Sequence, residues 1–269
     1  MSGSTINKEK NTMYPIAVQL YSLRDMMQPG YEKEDFLQIL KWVAAIGYKG
    51  VQPAGLWGYT PAEVTRIVED LGMSMAGTHS PFCRKVEDIS AAVDAAGDMK
   101  TDLIAAGFGE AEFADMDAIK RTAELVSAMD EACRRQGCRL YLHNHAHEFA
   151  KINGRIAYEI FEELCPTVKY EIDAYWSANH GANDPAEMVR KFREKCVLLH
   201  LKDGTFNKNI NMLPLGTGKM NIPAVIEACD PAVNQWVIVE LDNCCIDMMR
   251  AIKMSYRYMV SNGLAAGNR

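Results

Sequence analysis

What this chain lacks narrows its options first. No stretch reaches the ~18 consecutive apolar residues of a membrane-crossing helix, and the opening MSGSTINKEKNTMYP has no apolar segment of a secretory signal. No membrane association is expected, and residues 1–13 read as a frayed polar leader. A basic surplus is missing too: 29 Lys and Arg face 35 Asp and Glu, a formal net charge of −6. Binding along a phosphate backbone needs a basic face, so nucleic acid is not expected as a partner. The eight cysteines include no C-x-x-C pair and are scattered through apolar segments, which favours reduced thiols in a cytoplasmic protein over a disulfide framework. Nucleotide loops are absent: no G-x-G-x-x-G opens a helix after the first apolar run, and LGTGKMN at 215–221 lacks the G-x-x-x-x-G-K-[ST] spacing. A dinucleotide fold has little support, and LGTGKMN reads as a rim segment rather than a phosphate cradle.

What remains is regular. Hydrophobic residues make up 48% and charged residues 24%, an ordinary globular balance, and 269 residues suit one (β/α)₈ barrel. Short β-branched runs begin near residues 16, 50, 73, 102, 138, 168, 196 and 236, and a stretch of helical period follows each one. Their punctuation fits helices: Gly47 ends one, Thr60 caps another with Pro61 in its first turn, and Asp184 caps a third before Pro185. Strict alternation of eight strands and eight helices predicts an α/β fold, a single-domain TIM barrel over residues 14–269.

Histidine is scarce, with six in the chain, yet three stand together in YLHNHAHEF, residues 141–149. The period of a strand puts Tyr141, His143, His145 and His147 on one face for as long as the strand lasts. Active sites of such barrels lie at the carboxyl ends of the strands. Those ends carry Gln19 and Tyr21 on the first strand, Gln52 on the second and His79 on the third. The fifth carries His143, Asn144 and His145, with Glu148 just beyond. Glu171 and Asp173 end the sixth, His200, Lys202 and Asp203 the seventh, and Glu240 and Asp242 the eighth. Carboxylates and imidazoles thus gather on one half of the ring. Buried charge is tolerable when it is paired or metal-bound, so a divalent cation is expected: Mn²⁺ first, with Mg²⁺, Co²⁺ or Zn²⁺ as alternatives.

The strings VQLYSLRD, YLHNHAHEF, YEIDAYW, LLHLKD, PLGTGKMN and VIVELD, in that order, resemble the sugar phosphate isomerase/epimerase superfamily of xylose-isomerase-like TIM barrels. The resemblance implies a metal held by an acid on strand five, an Asp on strand six, a His on strand seven and a Glu on strand eight. Asp173, His200 and Glu240 match the last three. Strand five departs from the pattern, with His143 where many relatives carry a glutamate. Either His143 ligates, or Glu148 swings in from the following loop; charge balance at a hard dication favours Glu148. The implied catalytic set is Glu240 as ligand and base, His145 as general acid or base, His143 as substrate contact or ligand, and Lys202 as electrophilic partner for an oxygen. Gln19, Tyr21, Gln52, His79 and Trp176 are expected to bind substrate, with Trp57 and Phe82 as further stacking surfaces.

The expected activity is isomerisation or epimerisation of a small-molecule sugar, by proton transfer next to a carbonyl through an enediolate. The alternative is a lyase, dehydratase or hydratase acting on keto-sugars or keto-glycosides, a branch the histidine-rich fifth strand also resembles. A barrel that binds sugar without catalysis is the third reading. A homo-oligomer is compatible with the resemblance.

Overall fold

The computed structural model describes residues 13–27, 33–79 and 82–269. The expected leader lies outside the described residues except for Met13, which is exposed. Eight strands form one parallel sheet: β1 (Ile16–Gln19), β2 (Gly50–Gln52), β3 (Ser74–Met75), β4 (Leu103–Ala106), β5 (Arg139–His143), β6 (Lys169–Asp173), β7 (Cys196–Leu201) and β8 (Trp236–Val239). Their spatial order is β3-β2-β1-β8-β7-β6-β5-β4, so the first strand pairs with the last and the sheet curls into a barrel. Each strand is followed by a helix: α1 (Lys33–Ile46), α2 (Pro61–Asp70), α3 (Ile89–Asp98), α4 (Met116–Arg135), α5 (Ala157–Leu164), α6 (Pro185–Phe192), α7 (Ile222–Ala228) and α8 (Met248–Ser261).

Local chemistry sets the helix boundaries. Thr60 and Glu63 form a reciprocal capping box at α2, and Asp184 Oδ1 accepts from Glu187 N at 2.8 Å to start α6. Such caps each contribute ~1 kcal/mol. Gly47 closes α1 with φ at +115°, a left-handed conformation that a β-carbon would strain. Among the described residues no helix is long and apolar enough to cross a membrane.

The core has two compartments. The larger lies between sheet and helices and includes Val18, Val51, Leu140, Ile172 and Val239 with Leu40, Val68, Val126 and Ile252. The smaller fills the barrel lumen with Ala17, Ala76, Leu103, Ala105, Tyr141, Leu198 and Ile238. Alternate residues of each strand serve the two, so the next lumen positions toward the carboxyl ends are Gln19, Gln52, His143, Glu171 and His200. A polar layer therefore sits directly on an apolar floor.

One join is made differently. Strands β3 and β4 share no ladder; Cys83 N donates to Ala105 O at 2.9 Å, while the Thr78 hydroxyl donates to Leu103 O at 3.0 Å and accepts from Ala105 N at 3.3 Å. The third strand is shorter than its sequence suggests because Gly77, at φ +96°, breaks the extended run. A β-carbon there would meet Leu198 Cδ1 at 3.1 Å.

The fifth strand also stops early, at His143. His147 falls in a 3₁₀ turn (His147–Phe149), so the expected alternation of three imidazoles on one strand face is not what places them. After β1 the chain enters a 3₁₀ helix (Leu20–Met27) instead of remaining extended through residue 23. An unforeseen hairpin pairs Lys151–Ile152 with Arg155–Ile156. Its turn is Asn153-Gly154, both with positive φ, the dipeptide such turns prefer.

Candidate active site

The carboxyl ends of β5 to β8 bring four buried side chains together. Ligand atoms of His143, Asp173, His200 and Glu240 lie within 4.8 Å of one another. Strand register accounts for this: Asp173 is paired with His200, and His200 with Ile238, two residues before Glu240. A register shift in the β6–β7 ladder, where Tyr170 and Glu171 oppose Cys196 and Leu198, brings His200 level with Asp173. His200 spans the site, with Nδ1 at 2.8 Å from Glu240 Oε2 and Nε2 at 2.7 Å from Gln52 Oε1.

Beneath them lies a residue to which sequence reading gave no role. Glu171 is fully buried and stands opposite His143 in the β5–β6 register. Its Oε1 accepts from Gln52 Nε2 at 2.5 Å and lies 3.1 Å from His200 Nε2. Its Oε2 lies 2.9 Å from His79 Nδ1 and 3.2 Å from His143 Nδ1. Three imidazoles and an amide thus face one carboxylate. Carboxylates behind metal-binding histidines fix their tautomer and orientation, and Glu171 is placed to do this for His143 and His200 at once. The one available signal was spacing: E-x-D on a strand puts both acids on the lumen face.

Glu148 is turned away. Its Oε2 accepts from His145 N at 2.8 Å, and its Oε1 sits 3.2 Å from His147 Nε2, forming a separate group with those two histidines. His143, and not Glu148, is the strand-five side chain that lies among Asp173, His200 and Glu240, and Glu171 on the neighbouring strand faces it. Gln19 and Gln52 are also placed differently from expectation. Both are fully buried, and Gln19 Nε2 donates to Gln52 Oε1 at 2.6 Å, so the Gln19 amide is engaged with Gln52, and Gln52 with His200 and Glu171.

Above the four side chains opens a cavity of about 500 Å³, walled in part by Tyr21, His79, Phe82, His145, Lys202 and Asp242. Lys202 is 1% exposed, and its ammonium contacts Asp173 Oδ2 (3.1 Å), Glu240 Oε2 (2.8 Å) and Asp242 Oδ1 (2.7 Å). Trp176 leans on the same group, its Nε1 donating to Asp242 Oδ2 at 3.1 Å. Trp57 packs against Phe36 in the outer layer with centroids 6.4 Å apart and does not line this cavity.

Electrostatics follow from burial and neighbours. Burial opposes ionisation of Glu171 and Glu240, but His200 with His79 in one case, and Lys202 with His200 in the other, hold both carboxyls well below the usual range. Burial disfavours the imidazolium of His200, yet Glu171 and Glu240 outweigh it and raise its pKa to about 10. Asp173 goes the other way, raised to about 6 chiefly by burial, against the pull of Lys202 and His200. Burial lowers His143 far below the usual histidine value and His145 moderately, which leaves both neutral at pH 7.

Does this set suit a divalent cation? The carboxylates of Glu171, Asp173, Glu240 and Asp242 face one ammonium and one imidazolium, so negative charge is in excess. The buried atoms His143 Nδ1, Glu171 Oε2 and Asp173 Oδ2 are all at this site and are held by close charge contacts of 2.9–3.2 Å that lack hydrogen-bond alignment. Nitrogen and oxygen donors without a thiolate fit Mn²⁺, Mg²⁺, Co²⁺ or Zn²⁺.

The glycine-rich loop has its own anion. Asp203 Oδ1 accepts from Gly204 N (2.8 Å) and Met220 N (3.0 Å), and Oδ2 from Gly216 N and Gly218 N (both 2.9 Å). Those amides are spent on a side chain, which explains why LGTGKMN resembles a phosphate loop in composition only.

Comparison with known proteins agrees with this architecture. A family model described as xylose isomerase-like TIM barrel matches residues 40–258. Comparison with curated proteins returns no match. A sugar phosphate isomerase/epimerase from Parabacteroides distasonis superposes with a TM-score of 0.74 at 20% identity, covering 98% of this chain and 100% of that one. The probable 3-DHS dehydratase involved in petrobactin synthesis from Bacillus anthracis gives 0.72 at 13% identity, covering 91% and 98%. A structure of L-ribulose 3-epimerase gives 0.70 at 15% identity, covering 94% and 95%. At these identities the likeness to solved structures is one of fold. The family match spans most of the sequence, and the chain belongs to the xylose isomerase-like TIM barrel family.

Proposed function

We propose that this protein is a divalent-metal-dependent sugar isomerase or epimerase that moves a proton at the carbon next to a carbonyl. The observation that carries the reading is the convergence of His143, Asp173, His200 and Glu240 beneath a cavity walled by His145 and Lys202. His143, Asp173, His200 and Glu240 would hold the ion, Mn²⁺ by preference. When bound, it supplies Lewis-acid polarisation of the substrate carbonyl and stabilises negative charge on oxygen. The protein's own groups do the rest. Glu240, held ionised, is placed to take the proton as base. His145, neutral and also lining the cavity, would exchange a second proton. Lys202 lines the cavity with its ammonium shared among Asp173, Glu240 and Asp242 and would exchange one of these contacts for a substrate oxygen, and Tyr21 and Phe82 offer faces for the ring's C–H side.

A second reading, a lyase or dehydratase of keto-sugars, is supported by His143 and His145. Epimerisation between two carboxylates needs an acid on strand five, and both positions are imidazoles here. One experiment serves both readings. The Mn²⁺-loaded protein is incubated with a ketose and with a 3-keto-glycoside in D₂O and followed by mass spectrometry. Isomerase or epimerase action adds deuterium at carbon without other mass change, and lyase action removes water or releases the glycone. Absence of both, with and without added metal, defeats the proposal.

A further inference from the structure

The catalytic cavity does not end at His145. A second groove of about 530 Å³ begins on the other side of that residue, walled by Arg84, Phe108, Glu110, His147, Trp176 and His180. His145 lines both spaces. Trp176 marks the same boundary: it walls the groove, while its Nε1 is tied to Asp242, which walls the catalytic cavity. Each space falls within the 300–1,000 Å³ of ordinary small-molecule sites, so the two together exceed what a single sugar ring fills.

We propose that the natural substrate is a glycoside with two sugar rings, the reacting ring above Glu240 and the second in the groove between Trp176 and Arg84, with the interglycosidic linkage beside His145. This inference rests on the sugar chemistry proposed above and deepens it by naming the substrate class.

The groove's chemistry fits a hydroxylated ring. Phe108 is buried against the core and gives a rigid apolar wall, and Trp176 is fixed by its hydrogen bond, so two aromatic surfaces are available to the C–H side of a ring. Arg84, Glu110 and His180 are exposed and give fork, acceptor and mixed hydrogen-bonding groups for the hydroxyls. His180 is held there at a cost. It and Asn179 are consecutive non-glycine residues at φ +58° and +42°, and the His180 ring stands edge-on to Trp176 at 6.0 Å. Two adjacent left-handed residues in a helical turn are a strained way to aim a side chain, and here it is aimed at the groove wall.

The test compares ligands that share one polyol unit. Sorbitol carries a single unit; maltitol and lactitol carry the same open chain with a glucosyl or galactosyl ring attached. Their affinities for the Mn²⁺-loaded protein are measured by titration calorimetry. The expected result is that at least one glycosylated polyol binds about tenfold or more tightly than sorbitol, equivalent to ~1.4 kcal/mol. In the Arg84→Ala, Glu110→Ala double variant this ratio falls to within about twofold of one. A structural disturbance would weaken all three polyols and leave the ratio standing. A ratio near one in the unmodified protein overturns the inference, as does a ratio that survives the double variant. The proton-exchange experiment keeps the two readings apart. Deuterium incorporation into a simple ketose with a polyol ratio near one retains the chemistry and removes the second ring. A high ratio without exchange on any sugar retains the groove and removes the chemistry.

Discussion

Replacing Glu171 by glutamine is the sharpest perturbation this site offers. The side chain is fully buried, and within 3.2 Å of its two oxygens lie Gln52 Nε2 and ring nitrogens of His79, His143 and His200. Glutamine keeps the shape but removes the charge and turns N–H toward groups that now donate. His200, raised to about 10 by Glu171 and Glu240 together, loses one of its two anions. Breaking a buried pair from one side costs ~3–5 kcal/mol, and an isosteric amide belongs at the lower end, ~3 kcal/mol. At ~2–4 °C per kcal/mol for chains near this size, Tm falls by ~6–12 °C. Loss of the group that orients ligating imidazoles weakens metal affinity a further ~10–100-fold. Scanning calorimetry of the metal-free protein reads the first effect and Mn²⁺ titration the second. A Glu171→Gln protein with Tm within about 2 °C of the parent and unchanged Mn²⁺ affinity refutes the orienting role.

Other expectations follow from the same geometry. His145→Gln is expected to lower turnover ~10²–10⁴-fold with metal content intact by elemental analysis; unchanged turnover defeats its acid–base role. Asp203→Ala strands four backbone amides, three of them in the glycine-rich loop, and an unsatisfied buried donor costs ~1–3 kcal/mol, so urea unfolding is expected to show a loss of ~3 kcal/mol or more. A midpoint unmoved by this change contradicts the reading of Asp203 as the loop's anchor. The metal-free protein is expected to lose stability as pH rises from ~6.5 toward 10: the folded state keeps the His200 proton up to about 10, whereas the unfolded chain releases it near ~6.5, so the contribution is complete below that value. Mn²⁺ affinity moves the opposite way, because His200 must shed that proton to ligate. Melts and titrations across this range check both signs, and a metal-free protein that gains stability over it contradicts the assignment to His200.

The barrel was legible because its signal is repeated eight times. Each βα unit carries its own punctuation, and errors at single boundaries, such as the short third strand, do not change the count. The candidate site was legible where strand ends fix it: Asp173, His200 and Glu240 meet because parallel register leaves few alternatives. What stayed hidden depends on distances across the lumen. Glu148 and Glu171 are both acids beside apolar residues in sequence, and nothing local distinguishes the one folded back on its own turn from the one beneath three imidazoles. Gln19 and Gln52 likewise occupy strand ends, but their amides are engaged with each other, with His200 and with Glu171. Charge counting suggested that strand five needed help from an acid, and the acid that lies opposite is on the neighbouring strand, at the position paired with His143.

The join between β3 and β4 divides the molecule mechanically. A serial hydrogen-bond ladder runs unbroken from β4 through β5, β6 and β7 to β8, so the half carrying the four convergent side chains behaves as a stiff plate. Among the described residues the β3–β4 join is fastened by one hydroxyl and one bridge, backed by a void of about 310 Å³ beside Thr78, Phe82 and Cys83. Sparse bonding of this kind lowers the free energy of local opening along that line. His79 and Phe82 flank it, so two walls of the cavity are tied to the sparsely bonded seam while the four convergent side chains stand within the ladder.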